Sequence, residues 1–387
     1  MNMKRLFTSE SVTPGHPDKV ADAISDSILD SYLDQDPDSR VAVETLVTNN
    51  NVIVAGEVTS KVKLTAQQIT DIVKKTVSDI GYEYDDMKFN VNNLKITKLI
   101  HTQSPDIAQG VDINGAGDQG IMFGGAYNGI DDSTYMPDCW RLAKLLSDIL
   151  YRTGKKVGFR PDGKTQVTLD YTNPLKPKWD TIVVSVQHNP DMTIESIRKI
   201  IITSVISPVI AYYDRKIDFD KDSIKIHINP TGRFVIGGPD GDTGLTGRKI
   251  VVDGYGGYYP VGGGAFSGKD ATKVDRSAAY MARYIAYNIV HDGFGKDCEV
   301  QLSYSIGVPE PTSISIKIDG KVRDDIGDWF IQNIKMDPKS IIDRFDLKRI
   351  KKLFSYKDLA MNGHFGRIDI KLPWETADLN LKDKFQK

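Results

Sequence analysis

The sequence predicts an α+β fold of three similar units, each built of β-hairpins with helices packed on one sheet face, related by a pseudo-threefold. Three observations carry that prediction. Strand-like runs rich in Val, Ile and Thr come in pairs, each pair precedes an amphipathic helical run, and the pattern recurs three times at intervals of about 125 to 135 residues. A sheet with helices on one face is the economical way to bury such hairpins.

The elements follow in order. Thr13-Pro14-Gly15-His16-Pro17-Asp18-Lys19 opens a helix, with Pro17 suited to its first turn and Val20, Ile24 and Ile28 on its apolar side. Asp18, Asp22, Asp26, Asp30 and Asp34 recur every fourth residue. The last four read as a solvated face. Asp18, in the first turn beside His16 and Lys19, can instead reach a ligand docked at the helix end, and its hard oxygens suit Mg2+. The first hairpin runs Val41 to Thr48 and Val52 to Thr59 about Asn49 to Asn51, followed by a helix from about Thr65 to Ile80. Glu44 and Glu57 interrupt its apolar strands and are expected nearly opposite each other. Like charges so placed repel, so they face solvent or hold a cation or a substrate ammonium.

The second unit pairs Thr165 to Thr172 with Thr181 to Gln187 before a helix from about Thr193 to Ile206; the third pairs Cys298 to Ser305 with Ser313 to Ile318 before a helix from about Arg323 to Ile334. The working division is therefore an N-terminal α+β unit at 1–100, a glycine-rich lid and loop at 101–132, a central unit at 133–231, and a C-terminal unit with phosphate loops at 232–387. The chain is free to cross between units at the glycine tracts. One tract spans His101 to Asp132 and the other Asn229 to Lys273; long irregular tracts in compact proteins commonly serve as lids or binding loops.

Composition excludes several classes. The chain has 387 residues, 40% of them hydrophobic, and a formal net charge of -2, which argues for a large buried core and against a nucleic-acid or membrane-surface protein. Met1 to Glu10 contains no apolar signal region, and the longest uncharged apolar stretch, Ile200 to Tyr213, is shorter than the ~20 residues a membrane span needs and reads as a buried helix. Cys139 and Cys298 read as free thiols, which fits a cytoplasmic protein, and the scattered histidines show no zinc spacing.

Glycine and charge carry the chemistry. Gly263-Gly264-Ala265-Phe266-Ser267-Gly268-Lys269 matches a phosphate-binding loop, but Asp270 stands where such a loop places the Mg2+-binding Ser or Thr. The physics of anion binding survives: glycine admits backbone N–H groups, the helix expected from about Ala271 adds its dipole, and Lys269 and Lys273 add charge. Gly115-Ala116-Gly117-Asp118-Gln119-Gly120 matches a dinucleotide fingerprint but follows a polar loop instead of a strand, so that reading is rejected. Cations flank glycines again at Gly232-Arg233-Phe234, at Asp242 to Lys249 and at Asp162-Gly163-Lys164, and the repetition points to a polyanionic ligand.

Phe7 to Val12 with Gly15 to Lys19, Gly115 to Gly120, Asn229 to Phe234, Gly262 to Asp275 and His364-Phe365-Gly366-Arg367 together resemble the S-adenosylmethionine synthetase (methionine adenosyltransferase) family over nearly the whole chain. The resemblance implies transfer of adenosyl from ATP to the sulfur of L-methionine, hydrolysis of the released triphosphate, Mg2+ (about two per site), K+, and a homotetramer with active sites at a dimer interface. By position it implies that His16, Asp162, Gly163, Lys164, Arg233, Phe234, Asp242, Arg248, Lys249, Ala265 and Lys269 contact ATP, with His16, Lys164, Arg248 and Lys269 acting in catalysis. It places Glu57, Gln103, Asp242 and Lys273 at methionine, Asp18 and Asp275 at Mg2+, and Glu44 at K+. A thioether has no proton to lose, so such a reaction needs no general base; it needs a stabilised triphosphate and an aligned sulfur. The competing expectations are another ATP-dependent kinase or ligase, and a nucleotide-binding protein without catalysis.

Overall fold

A computed structural model describes residues 4–102, 116–130, 133–349 and 352–385. Its strands are β1 (Leu6–Val12), β2 (Arg40–Thr48), β3 (Asn51–Thr59), β4 (Lys95–His101), β5 (Gly120–Tyr127), β6 (Phe159–Asp170), β7 (Lys178–His188), β8 (Lys225–Ile228), β9 (Gly244–Leu245), β10 (Asp297–Tyr304), β11 (Ser313–Ile318) and β12 (Lys321–Val322). The longer helices are α1 (Pro17–Leu33), α2 (Ala66–Ile80), α3 (Asp138–Val157), α4 (Ile194–Ile201), α5 (Val274–His291), α6 (Asp324–Asn333), α7 (Pro338–Phe345) and α8 (Tyr356–Asn362).

All three predicted hairpins and the helices after them form, and each hairpin is also preceded by a long helix, giving α1-β2-β3-α2, α3-β6-β7-α4 and α5-β10-β11-α6. Each hairpin alternates inward apolar and outward residues, as in β2, where Val41, Val43 and Val47 are buried. Capping fixes helix starts locally: Thr65 and Gln68 form a reciprocal capping box on α2, and Thr193 accepts from the Ser196 N–H on α4.

The sheets do not each belong to one contiguous segment. Their strand orders are β4-β3-β2-β9, β1-β6-β7-β8 and β12-β11-β10-β5. The strand ahead of each unit's long helix therefore joins another unit's sheet: β1 lies antiparallel on β6, β5 on β10, and β9 on β2. This exchange is cyclic, and it brings the loops after β1 and β9 to the N-terminus of α1.

Three sequence expectations change. Part of the glycine tract at 101–132 is strand β5, hidden because Gly124 and Gly125 lack strand propensity; the glycines are there for close packing, since a Cβ on Gly124 would lie 2.0 Å from the Ala282 backbone and one on Gly125 2.0 Å from the Tyr259 ring. The stretch Ile200 to Tyr213 is buried on one side only: Val205, Ile206 and Val209 face the core while Ile202 and Tyr212 are exposed, and the helix widens to a π turn over Ile202–Ile206 ahead of Pro208, which has no N–H to give Ser204.

The third change concerns α1. Asp22 and Asp26 are fully buried, not solvated. Asp22 accepts from Lys19 Nζ at 3.0 Å and from the Gly247 N–H at 2.8 Å; Asp26 accepts from Arg276 Nη2 at 2.6 Å and from the Gly268 N–H at 2.8 Å. Asp30 accepts the Tyr356 and Lys357 N–H groups, each at 2.9 Å. Only Asp34 in that set is exposed. The two cysteines are free and buried.

Candidate active site

The chain leaves β1 and turns into α1 through Thr13 to His16. The Thr13 N–H bonds the Gly163 carbonyl at 2.9 Å, and a Cβ on Gly15 would fall 2.3 Å from the Pro161 backbone, so β6 and the α1 entry are in close contact. His16 caps α1, its Nδ1 accepting from the Asp18 N–H at 3.2 Å. An accepting Nδ1 places the proton of the neutral ring on Nε2. Burial, then the positive charge of Lys249, pushes the His16 pKa down to about 3, so the ring is neutral at ordinary pH and Nε2–H is a donor.

Asp18 is held from two sides. Its Oδ1 accepts the Leu245 N–H at 3.0 Å, and its Oδ2 receives Lys249 Nζ at 2.6 Å, with Arg248 Nε at 3.7 Å from Oδ1. Burial opposes ionisation of this carboxyl, but the Lys249 and Leu245 hydrogen bonds outweigh it and set the pKa below the usual carboxylate range. Asp162 is buried, accepts the Gly238 N–H at 2.7 Å, and is raised to about 6 by that burial; Asp242 adds to the rise. Lys164 pairs with Glu10 at 2.8 Å, a partner to which the sequence reading gave no role. The Phe234 N–H donates to His188 Nε2 at 3.0 Å, while Arg233 beside it is exposed.

A second group lies along the next turns of α1. The Gly268 carbonyl receives the Val43 N–H at 2.9 Å and Lys269 bridges to Ala42, so this loop runs alongside β2. Lys269 Nζ pairs with Asp275 at 2.5 Å, and Lys273 Nζ pairs with Asp270 at 2.6 Å. Gly264 lies against Asp275, where a Cβ would be 2.1 Å from Oδ1. Ala265 meets the first group's loop at Gly247, where a Cβ would be 2.6 Å from the Ala265 Cβ.

The loop is not the phosphate-binding loop that its motif imitates. Asp270 is a buried clamp accepting the Val41 N–H at 2.7 Å, the strand-like stretch from Lys249 to Asp253 is a helical turn at Ile250–Asp253, and α5 begins only at Val274. Glu44 and Glu57 are not opposite each other: Glu44 faces Ala55 and Glu57 faces Ala42, leaving them two positions apart on the open face of the hairpin. Glu57 Oε1 is 3.3 Å from His101 Nε2, and Glu44 is exposed. Gln103 lies outside the described residues.

The contacts thus gather His16, Asp18, Asp162, Gly163, Lys164, Arg248 and Lys249 at the α1 N-terminus, and Ala265, Lys269, Lys273 and Asp275 with Glu44 and Glu57 beside β2 and β3. Family models for the N-terminal, central and C-terminal domains of S-adenosylmethionine synthetase match residues 4–105, 113–234 and 236–376. The chain belongs to the S-adenosylmethionine synthetase family. It is 50% identical to an S-adenosylmethionine synthase from Fusobacterium nucleatum, with 98% of this chain and 97% of that one covered, and 48% identical to one from Pseudothermotoga lettingae, with 97% of each covered. A solved structure described as an unusual S-adenosylmethionine synthetase from Campylobacter jejuni superposes with a TM-score of 0.87 at 39% identity over 98% of both chains.

As a member of the S-adenosylmethionine synthetase family, the chain is a methionine adenosyltransferase that forms S-adenosylmethionine from ATP and methionine, and the comparisons give no support to a kinase or ligase. S-adenosylmethionine synthetases require divalent metal ions. Among the described residues no helix is long and apolar enough to cross a membrane.

Proposed function

We propose that the two groups grip ATP from both sides and that methionine sulfur attacks C5' of its ribose in line with the departing triphosphate. The sulfur lone pair forms the S–C5' bond, the C5'–O5' pair leaves with the triphosphate, and no proton moves at sulfur. Hydrolysis of the retained triphosphate to pyrophosphate and phosphate follows at the same site.

One observation carries this reading: the three lysines assigned to ATP are each held by a carboxylate within 2.8 Å, Lys164 by Glu10, Lys249 by Asp18 and Lys269 by Asp275, and Lys273, assigned to methionine, is held in the same way by Asp270. Such pairs hold cations in place at modest cost and exchange partners when phosphate arrives. In this assignment Lys164, Arg248 and Lys269 neutralise the leaving group, and Arg233, Phe234, Asp162, Gly163, Lys249 and Ala265 seat the nucleotide. Neutral His16 donates an Nε2–H hydrogen bond to the departing oxygen and keeps its proton. Glu57, Asp242, Lys273 and Gln103 hold the methionine ammonium and carboxylate.

Among the described residues no three His, Cys, Asp or Glu side chains form a ready metal cage. That fits Mg2+, which one or two carboxylates hold together with phosphate oxygens. Asp18 and Asp275 each already accept a lysine, so positive charge is welcome at both. Asp18 and Asp275 would hold about two Mg2+ ions, which would supply Lewis-acid neutralisation of the triphosphate, and Glu44 on the open sheet face would be the K+ ligand. That open face, which also carries exposed Leu99 in line with Ala55 and Glu44, supports pairing of two subunits across it. The assembly proposed is a cytoplasmic homotetramer, a dimer of dimers with each site at the dimer interface.

Mass spectrometry of products from ATP, L-methionine, Mg2+ and K+ tests the chemistry. S-adenosylmethionine with pyrophosphate and phosphate supports it, and triphosphate accumulating in place of those two sinks the hydrolytic half. Light scattering after size-exclusion chromatography tests the tetramer.

A further inference from the structure

We infer that Asp22 and Asp26 are positioning residues for the reaction, setting through the N–H groups of Gly247 and Gly268 the separation of the two loops that carry Arg248, Lys249 and Lys269. The inference rests on the assignment of those cations to the triphosphate. Both loops share one grammar: a glycine with φ of +80° donates its N–H at 2.8 Å to an α1 carboxylate, and the next residue is the cation. Neither glycine tolerates a side chain without displacement, since a Cβ would come within 1.9 Å of the Val43 carbonyl at Gly268 and within 2.6 Å of Ala265 at Gly247.

Asp22 and Asp26 are four residues apart, so their loops attach just over one helical turn apart, about 6 Å along α1. The helix therefore acts as a ruler for the cations. Each carboxylate is itself braced, Asp22 by Lys19, which also holds Asp253 at 2.6 Å, and Asp26 by Arg276. Asp18 continues the series with Leu245 and belongs to the site itself. Asp30 extends it in the other direction, but what it holds is the N-terminus of α8, at Tyr356 and Lys357, which carries none of the assigned residues. That difference supplies an internal control.

The test is steady-state kinetics on Asp22→Ala, Asp22→Glu and Asp30→Ala, with thermal melts on each. Asp22→Ala, which removes the acceptor for Gly247, is expected to raise the KM for ATP at least tenfold while the KM for methionine stays within twofold. Asp22→Glu keeps the charge but displaces the loop; it is expected to give the same split and serves if the alanine variant does not fold. Asp30→Ala is expected to lower Tm with both KM values within twofold. A folded Asp22 variant whose only change is a kcat reduced in proportion to its folded fraction overturns the inference, as does an Asp30 variant with the same rise in the KM for ATP. If the wild-type protein makes no S-adenosylmethionine, the failure lies with the proposed function.

Discussion

Helix α1 and the β2–β3 hairpin both place carboxylates at regular positions in an otherwise apolar pattern, and the fold treats them in opposite ways. Asp22 and Asp26 lie in the interior, each with a buried cation and a glycine N–H, whereas Glu44 and Glu57 stand on an open sheet face. The strand's amides are committed to neighbouring strands, so its carboxylates find no N–H partners there. The helix faces irregular glycine loops whose amides are free to donate. Availability of unpaired backbone donors, more than residue type, decides which carboxylates go inside.

The contrast can be broken most severely at Arg276. Arg276→Met leaves Asp26 buried and uncompensated, an expected loss of about 3–5 kcal/mol; a urea midpoint unchanged from wild type removes the claim that α1 carboxylates are held by interior charge. Lys269→Ala acts on rate instead. Its pair with Asp275 is partly exposed, so folding is expected to be intact while kcat falls by roughly 10²–10³-fold, the scale for losing one stabilising contact to a leaving group. Turnover at the wild-type rate would remove Lys269 from the triphosphate.

A pH series sharpens the comparison at a smaller scale. His16 titrates at about 3 in the fold against 6.5 ordinarily, so its contribution is full above pH 6.5 and is lost as pH falls toward 3. Asp162 titrates at about 6 against 3.8, so its contribution is full below 3.8 and is lost as pH rises through 6. The two oppose each other between pH 4 and 6. Asp162→Asn removes one of them, and its Tm is expected to climb more steeply over that range than the wild type's; parallel profiles would contradict the assignment. The smallest effect is at Glu57, where Glu57→Gln is expected to move stability by no more than about 0.5 kcal/mol. The same variant should raise the KM for methionine, and an unchanged KM would leave the ammonium without its proposed partner.

The hairpins were legible because alternation of apolar residues has a physical cause within a few residues. Strand β5 was not, since Gly124 and Gly125 satisfy a tertiary demand from Ala282 and Tyr259 that leaves no local pattern. The aspartate series was seen, but a spacing of four says only that the residues share a face, not what that face meets. The lysines and carboxylates proposed for the site stand out through their glycine context and the family resemblance, whereas the pairing of Lys164 with Glu10 and of Lys19 with Asp253 joins distant segments and leaves no local pattern. The two-residue offset of Glu44 and Glu57 follows from the tight turn over Asn49 and Asn50, which pairs Thr48 with Asn51 and so fixes every pair behind it.

The cyclic exchange of β1, β5 and β9 bears on how the protein is made. As the chain emerges from the ribosome, β1 appears first, yet the residue that meets Leu6 is Asp170; the sheet of β2 and β3 likewise waits for Gly244 and Leu245, and β5 waits for Asp297 to Tyr304. Among the described residues, no unit completes its sheet from its own contiguous segment. Nascent chains interrupted before the last unit carry exposed edges, and a gene cut into three would yield fragments that complete themselves only by finding one another.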